Sequence, residues 1–146
     1  MHRGWIAGFV MLLAGGTAFA MPPGLPPYDF FAGEYAVVGC LPDGGAPYAG
    51  RATISAMQDG LVLTRRVGDK ESTFQGRFEK AAAGDTEILL FQGAPPEVVI
   101  LSCLFVSDPD NYPRLSCLWG PKENRSGTPG LEAYFPADKV SGAQAP

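Results

Sequence analysis

Arg65 is the residue whose type and position most invite chemistry. It lies in the run Leu61-Val62-Leu63-Thr64-Arg65-Arg66-Val67, where positions 61, 63 and 67 are apolar. A regular strand turns alternate side chains to one face, so Arg65 is directed to the dry side with its apolar neighbours. A guanidinium held there needs an anion, either a ligand carboxylate or an internal acidic residue. The competing reading ends or bulges the strand by residue 65 and leaves Arg65 solvated beside Arg66. Tyr48, Phe74 and Phe78 fall on the apolar face of neighbouring runs. With Arg65 they form the candidate ligand-binding set. Gly50, Ala52, Ala56 and Gly76 share that face. They either leave room for a ligand or allow close packing of a strongly coiled sheet.

Cys103 and Cys117 flank the turn Asp108-Pro109-Asp110-Asn111-Tyr112-Pro113. A hairpin centred on Asp110 sets them directly opposite, with side chains on one face, and predicts a disulfide between them. The odd Cys40 is then a buried thiol or an intermolecular link. Pairing of Cys40 with either of the others is the alternative connectivity. No Lys or Arg adjoins Cys40 to lower its pKa, so a reactive thiolate is not expected.

The remaining motifs carry less. Asp108-Pro109-Asp110-Asn111 has oxygen ligands but neither the spacing nor the downstream Glu of a calcium loop, and reads as an acidic turn. Asn124-Arg125-Ser126 is a glycosylation sequon, meaningful only where the eukaryotic machinery exists. No glycine cluster is followed by the Lys-Ser/Thr of a phosphate loop. The single histidine is His2, at the extreme N-terminus. Without it the chain has no imidazole for a Ser-His-Asp or Cys-His nucleophile, a proton shuttle or a His-containing zinc site. The acidic residues form no spaced acid/base pair. No catalytic residue, metal site or cofactor is expected, and the protein is read as not an enzyme.

The first segment predicts export. Met1-His2-Arg3 is a short basic start, Trp5 to Leu13 an uncharged apolar stretch, and Ala18-Phe19-Ala20 a small-x-small exit. This is the layout of a secretory signal peptide over residues 1–20, cut after Ala20. An uncleaved membrane anchor is the alternative. Gly8, Gly15 and Gly16 weaken it, and a spanning helix needs about 20 apolar residues. Cleavage leaves 126 residues, enough for one domain with a real core, and the loss of Arg3 takes the formal net charge from −4 to −5. An acidic surface without a basic cluster argues against nucleic acid and against anionic membrane surfaces as partners. The expected location is periplasmic or secreted, with no membrane span after cleavage.

The elements that must position these residues are short strands. Residues 21–30 carry four of the chain's prolines in Met21-Pro22-Pro23-Gly24-Leu25-Pro26-Pro27-Tyr28 and predict an extended, Pro-rich lead-in. Residues 137–146 are small, polar and aperiodic, and predict a disordered tail. Between them, residues 31–136 read as eight strands: 34–40, 48–58, 61–67, 70–80, 86–91, 97–107, 114–120 and 131–135. Asp59-Gly60 and Gly68-Asp69 are hairpin turns between alternating runs. No segment has helical period and length. Apolar positions alternate with Arg51, Arg66, Arg77 and Glu79, which places the dry face inside and the wet face outside, the reverse of a membrane barrel. The fold class is all-β: a single-domain antiparallel meander of about eight strands forming a barrel or partly open barrel. A β-sandwich is the alternative.

Phe31-Ala32-Gly33-Glu34-Tyr35, Tyr48-Ala49-Gly50-Arg51-Ala52-Thr53-Ile54, Leu61-Val62-Leu63-Thr64-Arg65 and Phe74-Gln75-Gly76 together resemble the first half of small bacterial exported lipocalin-like barrels. Those proteins pair an F/W-x-G-x-Y opening with a Y-x-G-x-A-x-I strand. Leu118-Trp119-Gly120 and Gly130-Leu131-Glu132-Ala133 are similar to the rest of the scheme. The resemblance implies a lipocalin-like barrel that binds apolar ligands or acts as a small inhibitor. The resulting expectation is a binding module for a hydrophobic or amphipathic ligand. The alternative is a protein-protein partner, an inhibitor or accessory protein of the cell envelope.

Overall fold

A computed structural model describes residues 24–82, 84–96, 98–106, 114–123 and 127–137. The expected signal peptide, the turn around Asp110, the sequon at Asn124 and nearly all of the expected tail lie outside the described residues. A 3₁₀ turn at Tyr28–Phe31 is followed by β1 (Gly33–Cys40), β2 (Pro47–Met57), β3 (Gly60–Val67), β4 (Lys70–Lys80), β5 (Glu87–Gly93), β6 (Val99–Val106), β7 (Arg114–Pro121) and β8 (Gly130–Pro136). Each strand pairs antiparallel with its sequence neighbours, and β1 pairs with β8, so the meander closes into a barrel. The sandwich and the partly open barrel are thereby excluded.

The turn chemistry explains the register. Gly68, at φ 58°, makes the tight link that pairs Val67 with Lys70 across β3 and β4. From there the two strands run in step to the pair Leu61–Gly76. One consequence is that β3 runs unbroken through Arg65, which pairs with Ala52 on β2 and Ser72 on β4.

The inward positions fill the barrel. Tyr35, Val37, Ile54, Leu61, Leu63, Phe74, Leu89, Phe91, Leu101, Leu115 and Tyr134 are all buried, while Arg51, Arg66, Arg77 and Glu79 are exposed. The small residues serve packing: a Cβ on Gly76 would collide with the Phe91 ring. Of the two readings of these small residues, close packing holds at Gly76, where the Phe91 ring takes the space.

One end of the barrel is closed by aromatic rings. Residues 28–30, expected as the end of the extended lead-in, form the 3₁₀ turn Tyr28–Phe31 with the first residue of the expected barrel domain. Tyr28 stacks on Phe78 at 5.0 Å, and Phe31 meets Phe105 edge-on at 5.4 Å. The turn is tied to β1 by the Tyr35 hydroxyl, which donates to the Phe31 carbonyl at 2.8 Å. Aromatic edge contacts of this kind add to the area they bury.

The outside is uneven. β2, β3 and β4 present the charged residues named above. Val38, Leu104, Leu118 and Leu131 on β1, β6, β7 and β8 are each about half exposed. Leu118 pairs with Leu131, and Ser116 lies opposite Leu104, so three of these strands share an uncharged outer stretch. Among the described residues no helix is long and apolar enough to cross a membrane.

Candidate ligand-binding site at the open end of the barrel

The interior carries one buried charged side chain among the described residues, Glu132 on β8. It is the internal acid that Arg65 requires. The Arg65 Nη1 donates to Glu132 Oε1 at 2.6 Å. The Tyr48 hydroxyl donates to the same oxygen at 2.6 Å, and the Tyr134 hydroxyl donates to Oε2 at 2.6 Å. The carboxylate therefore accepts three hydrogen bonds, two of them from phenols held by different strands. Gly39 on β1, which pairs with Glu132, makes this possible, because a Cβ there would strike Glu132 and the Tyr48 ring.

Two rings hold the guanidinium from the sides. Its carbon sits 5.1 Å from the Phe74 ring centre and 5.2 Å from that of Trp119, within the range of cation–π attraction. Trp119 is fixed in turn by its indole N–H, which donates to the Cys40 carbonyl at 3.2 Å. Nη1 is the guanidinium nitrogen bonded to Glu132, and no buried side-chain nitrogen or oxygen among the described residues lacks a partner. The other guanidinium N–H groups thus reach open space.

That space is a cleft of about 470 Å³ at the end of the barrel opposite the aromatic plug. Its floor is Arg65, Tyr48, Phe74 and Trp119, and Val67 and Val99 line its sides. The volume lies within the ~300–1,000 Å³ range of small-molecule sites, and a mostly apolar lining with a few convergent polar groups is their usual character.

Three of the four expected site residues meet here. Arg65, Tyr48 and Phe74 converge, and the reading that left Arg65 solvated on a broken strand is corrected by its interior ion pair. Phe78 does not join them. It points inward as its parity requires, but it lies at the plugged end with Tyr28, Phe31 and Phe105. Parity tells inside from outside; it does not say how far along the axis a residue sits.

Sequence reasoning missed Glu132, Tyr134 and Trp119. On β8 both faces of the run Leu131-Glu132-Ala133-Tyr134-Phe135 carry apolar or aromatic side chains, so alternation alone sets no orientation. The strand in fact turns Glu132 and Tyr134 inward and leaves Leu131 half exposed. The available signal was Arg65 itself, since an interior arginine demands an interior acid and only β8 has an acidic residue next to an aromatic of the same parity.

Both tyrosines ionise at higher pH than an ordinary phenol. Burial is the chief cause for each, and the Glu132 carboxylate adds to it through its charge and the hydrogen bond it accepts. The Arg65 charge opposes the rise in both. The folded state thus holds the phenol protons more tightly than the unfolded chain, whose tyrosines titrate near pH ~10. The sign follows from linkage. The contribution is fully present below pH ~10 and is lost as pH climbs above it. We expect the urea midpoint to be flat from pH ~8 to ~10 and then to fall, with the fall reduced in the Tyr48→Phe/Tyr134→Phe double variant. Denaturation curves at stepped pH check this.

Cys103 and Cys117 are bonded, directly opposite each other on β6 and β7. Cys40 is free and partly exposed, on the outward parity of β1. Among the described residues no group of three or more His, Cys, Asp or Glu side chains converges to hold a metal ion. No protein-family model matches this chain, and no curated protein matches it at a significant level.

Proposed function

We propose that this protein is an exported binding module that holds a hydrophobic or amphipathic small molecule in the cleft above Arg65. The observation that carries the reading is the cleft itself. A floor of three aromatic rings and a guanidinium, held rigid by a buried carboxylate, lies open at one end of an otherwise filled barrel. Preorganisation of this kind reduces the ordering cost of binding. The resemblance to exported lipocalin-like barrels is consistent with the reading, and the Cys103–Cys117 bond fits a periplasmic or secreted location.

The test is titration with the neutral apolar dye N-phenyl-1-naphthylamine, followed by energy transfer from tryptophan. Saturation at one dye per chain is expected. A linear, non-saturating signal would contradict the proposal.

A second reading is a protein partner, and the half-exposed Val38, Leu104, Leu118 and Leu131 favour it. Uncharged outer stretches of this sort are where partners dock. The two readings use different surfaces, one at the end of the barrel and one on its wall.

A further inference from the structure

We infer that the ligand of the cleft is a single-chain amphiphile with an anionic carboxylate head, seated head-down against Arg65. The inference rests on the reading of the cleft as a binding site and goes beyond it by assigning the charge and orientation of what is bound.

The order of charges along the barrel axis carries the argument. Glu132 lies deepest, with a side chain that is 0 % exposed. In front of it stands Arg65, with 11 % of its side chain exposed. Lys70 stands at the rim, on the strand end that pairs with Val67, and is fully on the solvent side. Arg65 and Lys70 both line the cleft, and among the described residues no acidic side chain does. The negative charge is therefore screened from the cleft by the guanidinium. Both phenols aim their protons at Glu132, away from the opening. An entering molecule meets positive charge first at the rim and again at the floor, together with the Ser72 hydroxyl beside Arg65.

The donor inventory agrees. A guanidinium offers five N–H donors in a fixed fork, and Glu132 takes the bond from Nη1. The N–H groups left over match one more carboxylate, which Arg binds with charge-assisted bonds. A cationic head would face Arg65 and Lys70, with Glu132, the nearest carboxylate among the described residues, already bonded to Arg65 and both phenols. A neutral head would forgo the charge-assisted bonds that the guanidinium can give. The tail has Phe74, Trp119, Val67, Val99 and Leu41 to lie against.

The experiment is isothermal titration of the full chain with three probes that share one tail: dodecanoate, dodecanol and dodecyltrimethylammonium. Dodecanoate is expected to bind about tenfold or more tighter than dodecanol, as a hydrogen bond to a charged group would give. The ammonium is expected to bind weakest. In Lys70→Glu, a change at an exposed strand end, the dodecanoate-to-dodecanol ratio falls about fivefold, the upper range for a rim charge. The double variant Arg65→Gln/Glu132→Gln reduces the preference to the share that Lys70 supplies; should it fail to fold, the Lys70 ratio still decides. Equal binding of dodecanoate and dodecanol would overturn the head assignment while leaving the cleft a binding site. Tighter binding of the ammonium would do the same. No binding by any probe would overturn both.

Discussion

Replacing Glu132 with leucine is expected to destabilise the fold by about 3–5 kcal/mol, the cost of breaking a buried ion pair from one side. The change leaves Arg65 largely buried without its anion. It also removes the acceptor of two tyrosine hydroxyls, and the one on Tyr134 is fully buried. Against a total of ~5–15 kcal/mol for an ordinary domain, that loss brings the protein close to unfolding. Compensation gives the sharper test. Arg65→Met added to Glu132→Leu removes the stranded charge and should recover most of the loss, since an apolar replacement of a whole buried pair is often neutral. Adding Tyr134→Phe should recover a further ~1–3 kcal/mol, the cost of a buried hydroxyl without a partner. Urea denaturation measures all three through the midpoint at constant slope. A Glu132→Leu penalty below ~1 kcal/mol would show that the cluster does not exist as described.

The second large effect belongs to the disulfide. Cys103 and Cys117 are separated by 14 residues in sequence and are buried within the core. Closing a loop of that length restricts the unfolded chain and contributes about 3 kcal/mol in the chain-entropy account. Cys103→Ala/Cys117→Val should therefore lower the melting temperature by on the order of 10 °C. Addition of reductant should do the same once it reaches the bond. Cys40 is the free thiol and is partly exposed, so thiol counting after denaturation without reductant should return one per chain. Three would refute the bridge. Cys117 stands directly opposite Glu132 across β7 and β8, so the two effects share a neighbourhood and their costs in a combined variant should depart from simple addition by more than ~0.5 kcal/mol.

The barrel was legible because its turns and its alternation agree. Gly68-Asp69 fixes a two-residue link between β3 and β4, and alternate apolar residues on β2, β3 and β4 fix which face is buried. Those two facts placed Arg65 inside. The cysteine pairing was legible for a related reason, since a hairpin centred on Asp110 predicts the register that β6 and β7 adopt, with Cys103 opposite Cys117. What stayed hidden depends on contacts between strands distant in sequence. Arg65 and Glu132 are 67 residues apart, and Tyr48 and Glu132 are 84 apart. Only barrel closure, with β1 paired to β8, brings them together. β8 also conceals its own orientation, because its larger aliphatic residue, Leu131, faces solvent. An outer wall that is itself apolar on β1, β6, β7 and β8 removes the contrast that parity reasoning needs. The position of Phe78 failed for another reason: its strand is right and its face is right, but depth along the barrel axis follows from stagger between strands, which alternation does not encode.

The most direct test of the account follows amide and indole resonances of the isotopically labelled protein during titration with dodecanoate. The predicted result is a saturable set of shifts confined to Tyr48, residues 65–74, Gly93, Ala94, Val99 and the Trp119 indole N–H. Shifts centred on Val38, Leu104, Leu118 and Leu131, or none that saturate, would contradict it.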